Sequence, residues 1–145
     1  MRRKAFTLIE LLIVVIILGI LAAVVIPQFS DASTDARVSS LTTNLATIRG
    51  QLEFYKMQHN GQYPTDNTTF ANQMTKKTDV DGTVNTTSGA FGPYLQSIPN
   101  NPFTNTNTIG TGAGGADTDA WAYDGAGGFH ADDTGTEGGT AHNLL

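Results

Sequence analysis

Glu10 is the residue of this 145-residue chain whose type and place most demand a chemical explanation. From Leu11 to Ser30 there is no charged residue, and nearly every position up to Ile26 is Leu, Ile, Val, Ala or Gly. About twenty helical residues rising 1.5 Å each cover roughly 30 Å, the thickness of a bilayer's hydrocarbon core. A carboxylate inside such a run costs at least about 2.5 kcal/mol on insertion scales. It must either pair with a cation, which offsets much of that cost, or sit near the headgroups at the start of the helix.

The other groups with chemical potential are weaker. Asp117, Asp119, Asp124, Asp132 and Asp133 lie close together in sequence. Oxygen ligands at short spacing are what calcium needs, and a plain acidic surface has the same composition. The stretch Gly110-Thr111-Gly112-Ala113-Gly114-Gly115 fits a dinucleotide-binding pattern by letter. It lacks the preceding hydrophobic strand and following helix that would wrap a pyrophosphate, so a flexible loop is expected instead. His59, His130 and His142 have no metal or triad spacing, and no hydrolase signature or paired catalytic carboxylate arrangement occurs. Asn67-Thr68-Thr69 and Asn85-Thr86-Thr87 fit glycosylation sequons, which arise by chance in Thr-rich text. With no cysteine, disulfides and thiolate chemistry are excluded.

The elements that must position these groups follow from periodicity. Val38, Leu41, Leu45, Ile48, Leu52 and Tyr55 form one helical stripe. Between Ser30 and His59 there is no proline and one glycine, Gly50. A single helix from Phe6 to His59 is therefore expected, about 80 Å long, with Asp35, Ser39, Thr42, Thr43, Arg49 and Glu53 on a face suited to water or a neighbouring subunit. Gly19 and Pro27 weaken its front half, because glycine costs about 1 kcal/mol and proline removes a donor. Asn60-Gly61 and Pro64 end it. A short helix near Thr69 to Lys76 is expected, then a turn cluster at Pro99 to Pro102. Two strands follow, Ala120–Asp124 and Gly128–Ala131, as a hairpin whose aromatics pack on the stripe. The tail from Asp132 to Leu145 is expected to be loose or in contact with another subunit.

Charge is divided along the chain. Arg2, Arg3 and Lys4 are three of eight basic residues, and eight of thirteen acids follow Lys77. The basic tip predicts a cytoplasmic N-terminus and an exported head, and the acidic head argues against nucleic acid as a partner. A cleaved secretory signal explains neither Glu10 nor the helix pattern that continues past the apolar run.

Lys4-Ala5-Phe6-Thr7-Leu8-Ile9-Glu10 and the following LLIVVIILGILAAVVIP resemble the processing region of the type IV pilin and type II secretion pseudopilin family. Ile48 to Thr65 resembles the end of the long helix in the major pseudopilin branch. Gly92-Pro93-Tyr94-Leu95 resembles that branch's motif before the sheet, and Ala120 to Asp132 the terminal hairpin of pilin-like proteins. The resemblance implies cleavage between Ala5 and Phe6 by a prepilin peptidase and N-methylation of Phe6, with Ala5 standing where Gly is usual. It implies that Glu10 pairs with the ammonium of a neighbouring Phe6, and that Leu18 to Ile26, the stretch that contains Gly19 and runs up to Pro27, adapts on assembly. It raises calcium at Asp117, Asp119 and Asp124, although the family's Gly-Ala-Asp-Gly loop is not reproduced cleanly.

The fold so implied is α+β and pilin-like: a long N-terminal helix, membrane-spanning in its first half, packed on a small C-terminal antiparallel β-sheet head. Residues 1–5 form the leader, 6–30 the transmembrane and filament-core helix, 31–59 its amphipathic continuation and 60–145 the head. The expected function is structural, as the major subunit of a secretion pseudopilus or a surface pilus, not an enzyme. Its partners are other copies of itself, the peptidase, the inner-membrane assembly platform and, before assembly, the bilayer. The precursor would be single-pass in the inner membrane, the filament periplasmic or extracellular. The competing class is a membrane-tethered periplasmic binding domain or enzyme that never polymerises.

Overall fold

The structure is a computed structural model in which residues 6–112, 114–115, 118–136 and 141–145 are described. The elements run α1 (Leu8–Gln58), α2 (Asn67–Thr75), β1 (Ile109–Thr111), β2 (Trp121–Tyr123), β3 (Phe129–Ala131) and a short 3-10 turn (His142–Leu144). A long N-terminal helix followed by a small sheet is the α+β arrangement of a pilin. The chain divides into two units, one ending at Ala36 and one spanning Arg37–Leu145.

In the first unit α1 is bare. Its large apolar side chains from Leu11 to Ile26 are between 41% and 67% exposed, and none of the apolar window is buried within the protein. Leu8–Gln58 is the helix long and apolar enough to cross a membrane among the described residues. It continues through position 27 without a break.

In the second unit the same helix becomes one wall of a core. Leu41, Leu45, Ile48, Leu52 and Tyr55 are all fully buried, with Phe70 and Met74 of α2 and Trp121, Tyr123, Phe129 and Ala131 of the sheet in one cluster. Val38, the first residue of the stripe, is half-buried. α2 begins where Asp66 caps it: Asp66 Oδ1 accepts the Thr68 and Thr69 amides, each at 2.9 Å. The Thr68 hydroxyl adds a third bond to the same oxygen, and together these hold the Asp66 carboxyl below its usual range.

The sheet has order β1-β2-β3, with β1 parallel to β2 and β2 antiparallel to β3. It is therefore mixed, where an antiparallel sheet was expected. β1 also takes up Gly110 and Thr111, so the first part of the glycine-rich stretch is strand and not flexible loop. The strand is short and polar, Ile-Gly-Thr, and gives no alternation of apolar and polar residues to read. Pairing to the buried Trp121–Tyr123 segment holds it.

The tail departs from expectation as well. The 3-10 turn packs on β3, Leu145 packs against the core, and the His142 amide donates to Gly135 O at 2.9 Å.

Candidate functional site

Two places in the chain concentrate polar groups that local folding alone does not require. The first is the start of α1. Thr7 and Glu10 form a capping box: Glu10 Oε2 accepts both the Thr7 amide and the Thr7 hydroxyl at 2.7 Å, and the Glu10 amide donates back to Thr7 Oγ1 at 3.3 Å. An acid in the first turn also suits the positive end of the helix dipole. Among the described residues Glu10 Oε1 makes no hydrogen bond, so the carboxylate can cap its own helix and still accept a cation. The Thr-x-x-Glu spacing at positions 7 and 10 is a capping signature visible in the sequence itself.

The remaining residues of this region are set as follows. Phe6 is 79% exposed. Ala5 lies outside the described residues. A Cβ added at Gly19 would meet nothing within 4 Å, which leaves the helix backbone there open to close approach by another element. Pro27 lies within α1.

The second place is a buried polar clasp in the head. Asn101 is fully buried; its Nδ2 donates to Ala120 O at 2.9 Å and to Asp133 Oδ2 at 2.8 Å, and its Oδ1 accepts the Phe103 amide at 2.9 Å. Asp133 Oδ1 accepts the Gly135 amide at 3.1 Å and bonds His142 Nδ1, whose ring lies against Phe103. Arg49 completes the clasp. It was expected on the water-facing side of α1, but its Nε donates to Phe129 O at 2.9 Å and its Nη1 to Leu145 O at 2.6 Å. A guanidinium on a long stem can bring its donors back over a helix edge to unpaired carbonyls. Partial burial lowers its pKa from the usual arginine value. None of these roles follows from the residue types alone.

Among the described residues the acidic cluster is not gathered into a cation site. Asp117 lies outside the described residues. Asp124 Oδ1 closes the hairpin turn by accepting the Ala126 and Gly128 amides at 2.7 and 2.8 Å. The Asp119 amide donates to Asp132 Oδ2 at 3.0 Å. Among the described residues no group of three or more His, Cys, Asp or Glu side chains could hold a metal. A calcium ion, which takes about six to eight oxygen ligands, would have to complete its shell with Asp117 or main-chain oxygens.

The sequon asparagines are engaged. Asn67 Nδ2 donates to Ile109 O at 3.2 Å, and Asn85 Nδ2 to Asp79 Oδ2 and Ser88 Oγ at 2.9 and 3.0 Å. The Gly92-Pro93-Tyr94-Leu95 motif is pinned to α2, with the Tyr94 and Leu95 amides both donating to Met74 O at 2.9 Å.

Comparison with known proteins assigns both halves. Residues 1–26 match the model of the prokaryotic N-terminal methylation motif, and residues 28–138 the model of type II secretion system protein G. The chain is 33% identical over 104 residues to the type II secretion system core protein G of Pseudomonas aeruginosa, covering 72% of this chain and 70% of that protein. It is 40% identical over 72 residues to the type IV narrow pilus major component PilA5 of Thermus thermophilus, covering 50% and 61%. Against core protein G of Klebsiella pneumoniae it is 36% identical over 64 residues, covering 44% and 45%. The matched stretch thus spans less than two thirds of the Klebsiella and Thermus relatives. No solved structure matches the chain.

Proposed function

The chain belongs to the type II secretion system protein G family, a structural family of pilins and pseudopilins, and we propose that it is cut between Ala5 and Phe6 and polymerises through α1. The observation that carries this reading is the bare, uncharged face of α1 from Leu11 to Ile26, headed by a carboxylate with one oxygen unused among the described residues. Lipid can cover that face in an inner-membrane precursor, which the methylation motif and the apolar helix fit. Other copies of the same helix can cover it in a filament.

Apolar contact does not by itself favour the filament over the bilayer, because lipid tails are as apolar as leucine. The selective interaction is ionic. Cleavage would free an ammonium on Phe6, and Glu10 Oε1 of an adjacent copy is an acceptor for it. That pair, taken out of water, would fix the axial register of one subunit on the next. Gly19 lets two helix backbones approach closely. Pro27 leaves the Ala23 carbonyl without its usual helical donor, so Leu18 to Ile26 is the stretch that adapts as helices pack.

The protein G match over the head favours a secretion pseudopilus over a surface pilus as the product. The assembly platform and the peptidase are partners on this reading, and any secreted substrate would meet the acidic head. Electron microscopy of sheared surface material, with a secretion assay on a deletion strain, tests it. A secretion defect without long fibres fits the pseudopilus, and long fibres containing the chain fit a pilus. Neither fibres nor a secretion defect would leave the tethered, non-polymerising protein as the better account.

A further inference from the structure

The head contains a cavity of about 470 Å³ between the end of α1, the turn at residues 61–65, α2 and the turn around Asp81. Tyr55, His59, Tyr63, Gln73, Asp81 and Gly125 are among its walls. Its volume falls within the range of small-molecule sites, about 300 to 1,000 Å³.

Most of the polar groups on these walls are already satisfied. His59 bonds Tyr55 O through Nδ1 at 2.8 Å and Thr78 Oγ1 through Nε2 at 2.9 Å. Gln73 Oε1 accepts from the Thr65 amide and the Thr69 hydroxyl, both at 3.2 Å, and its Nε2 donates to Gly82 O at 2.9 Å. The Tyr63 hydroxyl donates to Glu53 Oε1 at 2.5 Å and accepts from Lys56 Nζ at 3.2 Å.

Tyr55 is the exception. Its side chain is 1% exposed, stacked on His59 with ring centroids 3.7 Å apart, yet its hydroxyl makes no hydrogen bond. The ring is buried, and the hydroxyl is left to the cavity, where water or a ligand supplies its partner. The hydroxyl reaches the Asp81–Gly82 wall, where a Cβ built on Gly82 would stand 2.7 Å from it. Gly82 has φ +84°, so a larger residue is excluded there by backbone conformation as well. Burial, first of all, pushes the Tyr55 phenol up to about 12, so it is a proton donor at any physiological pH. Asp81, exposed, accepts the Thr83 amide through Oδ1 at 2.9 Å, which leaves acceptor capacity on the carboxylate.

The chemistry needed to fill this space is specific. An occupant must offer an acceptor to Tyr55 and a donor to Asp81. Among the described residues no Lys or Arg lines the cavity, and the α1 C-terminus adds partial negative charge, so anions are disfavoured. Adjacent hydroxyl groups on one small molecule meet both demands. We propose that this cavity is a binding site for a neutral polyhydroxylated ligand of monosaccharide size, held by the Tyr55 hydroxyl and the Asp81 carboxylate. The site lies wholly in the Arg37–Leu145 unit and does not depend on filament assembly.

The test is saturation-transfer NMR on the full chain in phosphocholine micelles, which carry no sugar headgroup, with D-glucose, D-galactose and N-acetyl-D-glucosamine as probes. The expected result is transfer to at least one of them, weakened at least tenfold in Tyr55→Phe at an unchanged melting temperature. Because the hydroxyl bonds nothing in the protein, that variant removes only the ligand contact. Asp81→Asn should weaken the same sugar independently. No transfer to any of the three, meaning a cavity for water only, overturns the proposal, as does equal affinity in wild type and Tyr55→Phe.

Discussion

Replacing Asn101 by Asp changes one atom's chemistry at the centre of the buried clasp and should make the head's stability strongly pH-dependent. In the native protein Asn101 Nδ2 donates to Asp133 Oδ2 at 2.8 Å and to Ala120 O at 2.9 Å. An aspartate at 101 would put a second carboxylate oxygen where that donor stood, beside a carboxylate only 5% exposed. The introduced carboxyl is favoured in its protonated form, its pKa raised by about 2 to 3 units by the neighbouring negative charge and by burial. The folded-state pKa then lies above the unfolded value of about 3.9, so the stability associated with that proton is present in acid and is lost as pH rises through the folded pKa.

At about 1.4 kcal/mol per unit the repulsion costs roughly 3 to 4 kcal/mol at pH 7.5. The Ala120 carbonyl loses one of its two donors and keeps the Asp132 amide at 3.2 Å, so that loss adds about 0.5 to 1.5 kcal/mol at any pH. The variant should lose about 4 kcal/mol at pH 7.5 and about 1 at pH 4, from a total of about 5 to 15 for a domain. Trp121 is the single tryptophan and is fully buried, so its fluorescence reports head unfolding in the full chain held in mild detergent. A variant as stable as wild type at pH 7.5, or a loss equal at both pH values, would refute the reasoning.

Three further outcomes follow from the same geometry. Arg49→Met should destabilise the head by about 2 kcal/mol in the same Trp121 assay, a figure discounted for the guanidinium's partial exposure from about 1.5 to 3 kcal/mol per charged hydrogen bond; an unchanged melt would mean the Phe129 and Leu145 carbonyls do not need it. Glu10→Gln keeps an acceptor for the Thr7 amide, so helix content by circular dichroism should hold while filament yield falls at least tenfold, and normal yield would count against ionic pairing. The thermal midpoint should be the same in calcium and in chelator; an increase with calcium would mean that Asp117 or main-chain oxygens complete a site the described residues do not form.

How much of this was legible in the sequence depended on the range of the interaction. The helix was, because Leu41, Leu45, Ile48, Leu52 and Tyr55 repeat at helical spacing and the run from Leu11 to Ile26 needs no partner in the chain to be recognised. The strands around Trp121 and Phe129 were, because alternating aromatics and a glycine-rich turn are local signals. β1 was not: Ile109–Thr111 is strand only through its parallel pairing with Trp121–Tyr123, twelve residues on. The clasp was hidden for the same reason. Asn101 looks like turn material between two prolines, and only the fold brings it against Asp133, 32 residues away. Arg49 sits on the polar face by periodicity, and its reach back to Phe129 and Leu145 depends on how the sheet and tail pack. The cap at Thr7 and Glu10 differs from these cases, since its spacing is local and could have been recognised beforehand.

The central claim is that the chain is a processed, polymerising subunit, and the mass of the chain recovered in the high-speed pellet of sheared filaments tests it most directly. The account predicts a chain that begins at N-methylated Phe6, lacking Met1 to Ala5. A chain found only in the membrane fraction, with Met1 to Ala5 still attached, would contradict it.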